Sequence, residues 1–425
     1  MKVTGIVAEY NPFHNGHLYH LSKAREETNA DYIVVVLSGD FVQRGSPAII
    51  DKYSRTQTAL MAGADLVLEL PVYYATSSAD YYAKGATALL DRLGVVDCLS
   101  FGSEHGKIED LVGIAALSSH ETPAYSVALN QYMVEGKSFA YAHTHALMDS
   151  CKDPVLASKI EQITKMPNNS LGIAYIKCLL QRKSSITPHT IYRTGADYND
   201  SSEGVFSATS VRSELMRTRD VRSLCAQVPD FVMAEFNKNY KKTFPITRND
   251  FSSILLYKLR HLQFFDEMAI SKTPYKAPEI TGFLDVTKGL SNRITASMNQ
   301  YENYKQFADL LKTKNYTYAS ISRALTHLML DIKKDRMDEF VAEDYVGYAR
   351  ILGFKKESTA LLSAIKQNGD IPLISKLKDA SSYLDATSLK MLRSDVFASD
   401  LYEQVASQKF HHPFRSEYTQ EIIRI

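Results

Sequence analysis

Short apolar segments alternate with helical patterns through the first hundred residues, and this alternation constrains the fold more than any other feature of the chain. Predominantly apolar strands are buried on both faces, which is typical of a parallel sheet covered by crossover helices. The pattern therefore predicts an α/β fold with a Rossmann-like parallel sheet, whose ligands bind beyond the carboxyl ends of the strands. The four predicted strands are Val3–Ala8, Tyr32–Leu37, Leu66–Leu70 and Cys98–Phe101.

The turn between the first strand and the first helix carries two histidines. The segment from Tyr10 to His17 reads YNPFHNGH, and His14, Gly16 and His17 form an HxGH element within it. Free N–H groups and the dipole at a helix start attract anions, and a glycine lets a ligand approach the backbone. Two imidazoles three residues apart can donate to one phosphate chain. We therefore predict an enzyme that cleaves a nucleoside triphosphate between its α- and β-phosphates. The alternative is that both histidines are ordinary turn and helix residues.

A second segment, Ser207–Arg212, reads SATSVR and begins a predicted helix. The hydroxyls of Ser207 and Thr209 can cap this helix or bind phosphate, and Arg212 offers forked donors to a leaving pyrophosphate. By itself the segment is better explained as an ordinary cap with a surface arginine. Together with the upstream HxGH element it matches the two phosphate-binding motifs of the HxGH nucleotidyltransferase superfamily. We interpret residues 1–230 as a HUP-type nucleotidyltransferase domain, with Thr187–Arg193 as the last strand of its sheet.

The loop after the second strand, Ser38–Gly45, places glycines around an acid and a base. Asp40 is suited to orient a catalytic histidine or to bind Mg²⁺, and Arg44 is suited to hold a small carboxylate or a phosphate. The alternative is a turn with a local ion pair. We include Asp40 among the predicted catalytic residues and Arg44 among the predicted substrate-binding residues.

Charge is distributed unevenly along a chain whose net charge is only +1. Residues 1–150 contain 10 lysines and arginines against 17 acidic residues, whereas residues 238–325 contain 14 against 7. Strand signals fade after about Pro229, so we predict a second, mostly α-helical domain over residues 231–425. Its basic character indicates a polyanionic partner, with Lys241 and Lys242 as candidate RNA contacts; the alternative is that its cations only solvate helix faces.

Nothing in the sequence indicates a membrane or secreted protein. No apolar segment approaches the ~20 residues that cross a bilayer, and no secretory signal precedes the first strand. The four cysteines show no CxxC spacing, which favours reduced thiols over disulfides or a zinc site. We predict a cytoplasmic protein without a membrane partner, assign no metal-ligating residues and predict no oligomeric state.

Several segments carry a family resemblance. The strings GIVAEYNPFHNGH, GDFVQRG, FGSE, PNNSLGIAY, IYR and SATSVR occur in the order seen in bacterial tRNA(Met) cytidine acetate ligases, and the back half is similar at GLSNRI and YARILGF. The resemblance implies an ATP-dependent ligase. From the chemistry of a leaving pyrophosphate we expect Mg²⁺ to neutralise it together with Arg212. Acetate attacks ATP to give acetyl-adenylate, and the acetyl group passes to the N4 amine of the wobble cytidine of elongator tRNA(Met), forming N4-acetylcytidine.

The resemblance also implies which residues contact ATP. Outside the first loop these are Gly102, Asn168 and Arg193, and Asn169 is an alternative to its neighbour Asn168. Within the first loop the implied ATP contacts run without interruption: Val7, Ala8, Glu9, Tyr10, Asn11, Pro12, Phe13, His14, Asn15, Gly16, His17, Leu18, Tyr19 and His20.

Two other functions use the same motifs. A small-molecule nucleotidyltransferase would adenylate a phosphorylated metabolite with the same HxGH and SATSVR parts, but it would not need the large basic back half. A tRNA-binding protein whose nucleotide site only regulates binding would not need two histidines together with Arg212. Acetate-dependent exchange of pyrophosphate into ATP separates these functions from the ligase.

Overall fold

The computed structural model describes residues 1–119, 122–137, 139–193, 207–265 and 280–425. Its described strands form an eight-stranded sheet and a separate two-stranded hairpin, β3–β4. The sheet order is β10-β8-β5-β2-β1-β6-β7, with β9 beside β8. The strands are β1 (Val3–Ala8), β2 (Tyr32–Ser38), β3 (Phe41–Val42), β4 (Ser46–Pro47), β5 (Leu66–Leu70), β6 (Cys98–Ser103), β7 (Thr187–Tyr192), β8 (Ala349–Phe354), β9 (Leu373–Ile374) and β10 (Ile423–Arg424).

Helices cover both faces of the sheet and make up most of the back half. Those up to residue 218 are α1 (Asn15–Thr28), α2 (Lys52–Met61), α3 (Val72–Ala75), α4 (Ala79–Arg92), α5 (Ile108–Ser119), α6 (Pro123–Val134), α7 (Phe139–Ser150), α8 (Pro154–Lys165), α9 (Pro167–Arg182) and α10 (Ala208–Thr218). The later ones are α11 (Asp230–Asn239), α12 (Ser252–Phe265), α13 (Lys288–Ser297), α14 (Tyr304–Leu311), α15 (Tyr318–Met329), α16 (Lys334–Ala342), α17 (Thr359–Asn368) and α18 (Ala386–Phe410). None of the helices in the described ranges is long and apolar enough to cross a membrane.

The four predicted strands are confirmed, and they pair in parallel in the order β5-β2-β1-β6. Every residue from Ile33 to Ser38 in the central strand β2 is buried, as expected for a strand covered by helices on both sides. The carboxyl ends of β1 and β2 lie side by side, with Ala8 opposite Leu37. The loops that follow these two strands therefore start at the same edge of the sheet.

The sheet does not end where the sequence predicted. The segment Thr187–Arg193, predicted as the last strand, forms β7, but three further strands come from the back half of the chain. Strand β8 pairs antiparallel with β5, and both β9 and β10 pair with β8. Strand β5 lies about 280 residues before β8 in the chain, so no local sequence pattern could have indicated that the two strands pair. The division into residues 1–230 and 231–425 stays a prediction.

A buried network of charges joins the front and back halves beneath α2. Lys52 Nζ lies 2.7 Å from Glu69 Oε1 and 2.5 Å from Glu417 Oε1. Arg350 Nη1 lies 2.9 Å from Glu69 Oε2, and Arg350 also pairs with Glu417. All four side chains are at most 5% exposed. Because a buried charge that loses its partner is strongly unfavourable, this network ties the C-terminal segment to the start of α2.

Candidate active site

His14 and His17 together cap the first helix. The Gly16 N–H donates to Nδ1 of His14 (3.1 Å), and the His14 N–H donates to Nδ1 of His17 (3.2 Å). The two rings stack with 3.7 Å between centroids and 27° between planes. Since both Nδ1 atoms accept hydrogen bonds, a neutral ring must carry its hydrogen on Nε2. The fold thus prepares two Nε2–H donors side by side at the start of a helix.

The surroundings keep these imidazoles neutral. Burial, followed by the charges of Arg193 and Arg212, lowers the pKa of His14 to about 3. Burial, His14 and Arg193 lower the pKa of His17 well below its usual value. Burial and Arg193 also lower the pKa of His20 to about 4. Cations thus dominate the field at the histidines, and an anion bound there would be stabilised by every one of these groups.

Arg212 connects the two predicted phosphate-binding motifs. Its Nη1 donates to the carbonyl oxygen of Asn11, and its Nη2 donates to Thr209 Oγ1 (3.1 Å). Ser207 caps α10 by accepting from the Ser210 N–H (3.1 Å). The capping interpretation of Ser207 is therefore confirmed, whereas Arg212 is held against the HxGH loop and is not a remote surface arginine.

Arg193 lies directly after β7 and faces Gly102 on β6. A Cβ added to Gly102 would lie 3.0 Å from Arg193 Cγ, so the missing side chain makes room for the arginine. Within the described residues Arg193 Nε is buried without a hydrogen-bond partner. Burial lowers the pKa of Arg193, and the nearby Glu104 partly opposes that effect. An unpartnered guanidinium donor beside two histidines is suited to a phosphate oxygen.

Asn168 and Asn169 differ in how their amides are used. Asn169 is buried; its Oδ1 accepts from the His105 N–H (3.0 Å) and its Nδ2 donates to the Ile163 carbonyl (3.1 Å). Asn168 donates through Nδ2 to Glu104 Oε1 (2.6 Å), which leaves its Oδ1 without a hydrogen bond to the described residues. The geometry favours Asn168 over Asn169 as a ligand contact.

Comparisons with known proteins bear on this site. The model of the HIGH Nucleotidyl Transferase family matches residues 1–417. The tRNA(Met) cytidine acetate ligase of Thermoanaerobacter sp. (strain X514) is 40% identical over 423 residues, covering 97% of this chain and 99% of the relative. That of Acetivibrio thermocellus is 36% identical over 432 residues and covers all of both chains. The chain belongs to the tRNA(Met) cytidine acetate ligase family.

A solved structure of the family shows the same fold. The crystal structure of Thermotoga maritima TmcAL bound with alpha-thio ATP is 30% identical, covers 100% of both chains and has a TM-score of 0.89. The apo form of the same protein has a TM-score of 0.90. The predicted α/β nucleotidyltransferase fold and the family resemblance are both confirmed.

Most of the first loop supports the histidines. Val7 and Ala8 end β1, and Pro12 and Phe13 are buried. The ring centroids of Phe13 and His17 are 5.5 Å apart. The other loop residues anchor its backbone or lie at its surface. Glu9 Oε1 accepts from the Gln43 N–H, and Asn11 Oδ1 accepts from the Ile49 N–H. Asn15 Nδ2 donates to the Ala226 carbonyl oxygen. Leu18 is half-buried, and Tyr19 is exposed.

His20 is tied to a chain of polar side chains that leads to the surface. Its Nε2 is hydrogen-bonded to Ser100 Oγ (3.3 Å), and the same Oγ is hydrogen-bonded to His189 Nδ1 (3.2 Å). His189 Nε2 in turn lies 3.2 Å from Glu27 Oε2. His20 is therefore oriented by the strands β6 and β7 and supports α1 near His17.

The structure does not bring Asp40 to the histidines. Its Oδ1 accepts from the Lys52 N–H (2.8 Å) and lies 3.8 Å from Arg55 Nη2, so it binds the start of α2, whose N-cap is Asp51. Burial raises the pKa of Asp40 to about 7, although Lys52 and Arg55 oppose the shift. The hairpin β3–β4 follows Asp40 directly in the chain. Its catalytic assignment stays a prediction without support from these contacts.

The predicted substrate residues lie outside the histidine site. Arg44 is exposed at the tip of the β3–β4 hairpin, where its carbonyl oxygen accepts from Arg248 Nη2 (3.2 Å). Lys241 and Lys242 are exposed after α11, and Lys241 Nζ lies 5.2 Å from the Tyr240 ring centroid. All three side chains are accessible to a large ligand.

Two residues that hold the site were missed from the sequence. Arg55, 1% exposed, donates to the carbonyl oxygens of Glu9, Ser38 and Gly39 and so fixes the ends of β1 and β2. Glu104 accepts from the backbone N–H groups of Asn168 and Asn169 at the start of α9. The FGSE string contained a signal for Glu104, whereas Arg55 lies in an ordinary helical pattern.

The described residues around the histidines do not form a carboxylate site for Mg²⁺. No group of three or more metal-ligating side chains occurs in the described ranges. Glu104, whose charge opposes the lowering of the Arg193 pKa, already accepts hydrogen bonds from Asn168 and Asn169 at the start of α9. Since Mg²⁺ prefers oxygen ligands and the donors here are imidazoles and guanidinium groups, the protein side chains do not fit a resident Mg²⁺.

Proposed function

We propose that this chain is an ATP-dependent ligase that activates acetate as acetyl-adenylate and transfers the acetyl group to the N4 amine of the wobble cytidine of elongator tRNA(Met). The observation that carries the proposal is the pair of neutral imidazoles, His14 and His17, in a field of arginines at the carboxyl end of the sheet. The names of the relatives support the choice of acetate and tRNA. We assign the protein to the cytoplasm, where such a reaction would meet its tRNA.

In the first step an acetate oxygen attacks the α-phosphorus of ATP. The new P–O bond gives acetyl-adenylate, and the bond to the β-phosphate oxygen breaks so that pyrophosphate leaves with the electron pair. The Nε2–H groups of His14 and His17 donate to oxygens that gain charge in this displacement, and Arg193 and Arg212 stabilise the departing phosphates. Removal of one such donor costs about 3 kcal/mol of transition-state stabilisation.

The remaining nucleotide contacts position ATP. Gly102 and Asn168 lie beside Arg193 and Glu104 at the ends of β6 and α9. Thr209 orients Arg212. We assign these residues to ATP binding and prefer Asn168 to Asn169. Mg²⁺ would accompany ATP through its own phosphate oxygens, since the protein side chains do not supply the ligands.

In the second step the cytidine amine attacks the carbonyl carbon of acetyl-adenylate. The C–N bond forms, the C–O bond to AMP breaks, and the amine loses one proton. The target base must be unstacked to reach the adenylate, as is usual for single-stranded RNA targets. We assign the exposed Arg44, Lys241 and Lys242 to contacts with the RNA backbone.

The proposal is tested by incubating the protein with ATP, acetate and total tRNA, digesting the RNA and searching for N4-acetylcytidine by mass spectrometry. Acetylated cytidine should form with the parent protein and be absent with His17→Ala. Pyrophosphate exchange into ATP, measured without tRNA, should require acetate. Exchange that requires a phosphorylated metabolite instead would support the small-molecule nucleotidyltransferase, and tRNA binding without any exchange would support a regulatory nucleotide site.

A further inference from the structure

The Tyr10 side chain carries a buried hydroxyl group that makes no hydrogen bond to the described part of the protein. The side chain is 2% exposed, and within the described residues its hydroxyl has no hydrogen-bond partner. A buried hydroxyl left unpaired costs on the order of 1–3 kcal/mol. Replacement by phenylalanine would remove that cost and keep the ring contacts, so the hydroxyl needs an explanation outside the packing of the free protein.

The Tyr10 ring packs against the predicted reaction centre. Its centroid lies 4.9 Å from that of His17 in an edge-on contact, and 4.7 Å from that of Phe13. Tyr10 follows β1 directly and has a φ of 46°, so the backbone is held in a left-handed conformation that a tyrosine rarely adopts. This turn directly after β1 accompanies the contact of the ring with His17.

The buried hydroxyl of Tyr82 lies in the same environment as that of Tyr10. Tyr82 on α4 lies near enough to act on the ionisation of Tyr10, and its hydroxyl is hydrogen-bonded to Ser38 Oγ (3.3 Å) at the end of β2. Burial raises the pKa of both phenols, and Glu9 adds to the effect at Tyr82. Both remain neutral donors at physiological pH, which is the state required to donate to a carboxylate.

We propose that the Tyr10 hydroxyl donates a hydrogen bond to the carboxylate of acetate and holds it beneath His17 for attack on ATP. One acetate oxygen accepts from Tyr10 while the other attacks the α-phosphorus. The assignment rests on the proposed function, because acetate must be the acid that the site activates.

The test is Tyr10→Phe in the acetate-dependent pyrophosphate exchange assay, with KM measured separately for acetate and for ATP. The KM for acetate should rise about tenfold or more, the KM for ATP should stay within about twofold, and thermal stability should not fall. Tyr74→Phe is the matched control: Tyr74 is equally buried, but its hydroxyl donates to the Tyr345 carbonyl (2.6 Å). That variant should lose stability and keep the parental KM for acetate.

The outcomes separate the two claims. A parent protein that exchanges pyrophosphate without requiring acetate would overturn the proposed function itself. A parent that requires acetate, together with a Tyr10→Phe variant of unchanged KM for acetate, would overturn only the role of Tyr10. An increase in KM for ATP alone would assign the hydroxyl to the nucleotide, and a loss of thermal stability with all constants unchanged would make it a structural group; either result also overturns the inference.

Discussion

Arg212 donates a hydrogen bond to the carbonyl oxygen of Asn11, 201 residues earlier in the chain. This contact joins the SATSVR helix to the HxGH loop, so the two predicted phosphate-binding motifs lie together. The Asn11 carbonyl oxygen thus holds Nη1 of the guanidinium, and Thr209 Oγ1 holds Nη2. The arginine is therefore positioned before any phosphate arrives, which reduces the reorganisation needed during the reaction.

Loss of either histidine should abolish most of the chemistry. His14→Ala and His17→Ala should each lower the rate of acetate-dependent pyrophosphate exchange about 100- to 1000-fold, because each removes an Nε2–H donor. The affinity for tRNA should change little. His145→Ala, in α7 and outside the site, is the control. Parental exchange by either variant would remove that histidine from the mechanism.

Arg212→Lys should retain the charge but lose the fork that contacts Asn11 and Thr209. We expect the exchange rate to fall about tenfold or more, since lysine cannot reproduce the planar pair of donors. Steady-state exchange kinetics measure the effect. Arg217 lies on the same helix in a pair with Glu214, and Arg217→Lys should leave the exchange rate unchanged. An equal fall of the exchange rate in both variants would indicate a general effect on α10.

Stability should decrease as the solution becomes acidic. The pKa values of His14 and His20 are lowered to about 3 and about 4, against an unfolded value of about 6.5. At these histidines the unfolded chain therefore binds more protons between pH 6.5 and pH 4, and their contribution to the free energy of unfolding should fall across that window and be level above it. Asp40, whose pKa is raised to about 7, opposes this fall. Urea unfolding at a series of pH values tests this. His14→Gln should show a shallower fall, and an unchanged slope would contradict the buried neutral imidazole.

The buried charge network should be essential to the fold. Glu417→Gln leaves Lys52 and Arg350 to share Glu69 alone, and we expect a loss of about 3–5 kcal/mol in the free energy of unfolding. Glu161→Gln breaks an exposed pair with Lys165 and should change the stability little. Similar small losses in chemical denaturation would show that the C-terminal segment does not stabilise α2.

Charge reversal at Lys241 and Lys242 should weaken tRNA binding. Both side chains are exposed, and removal of two phosphate contacts should reduce the slope of log affinity against log salt by roughly 1.4. Filter binding at several salt concentrations measures the slope. Lys165→Glu, on α8, provides a control for net charge. An unaltered slope in the double variant would place the RNA surface elsewhere.

The sequence by itself determined the features that depend on neighbours along the chain. Apolar runs identified β1, β2, β5 and β6 because a strand buried on both faces needs apolar residues throughout. The HxGH element identified the histidine pair because a helix cap is made by residues two or three positions apart. The order of motifs was enough to recognise the family.

Only the tertiary structure decided what comes together from distant segments. It brought β8 to β5, Arg193 to Gly102 and Arg212 to Asn11, and it paired Asp40 with the start of α2. It also made the histidines neutral, since burial and neighbouring cations set a pKa and neither can be read from local spacing. Spacing specifies which groups a turn can offer; packing across the sheet specifies which of them meet.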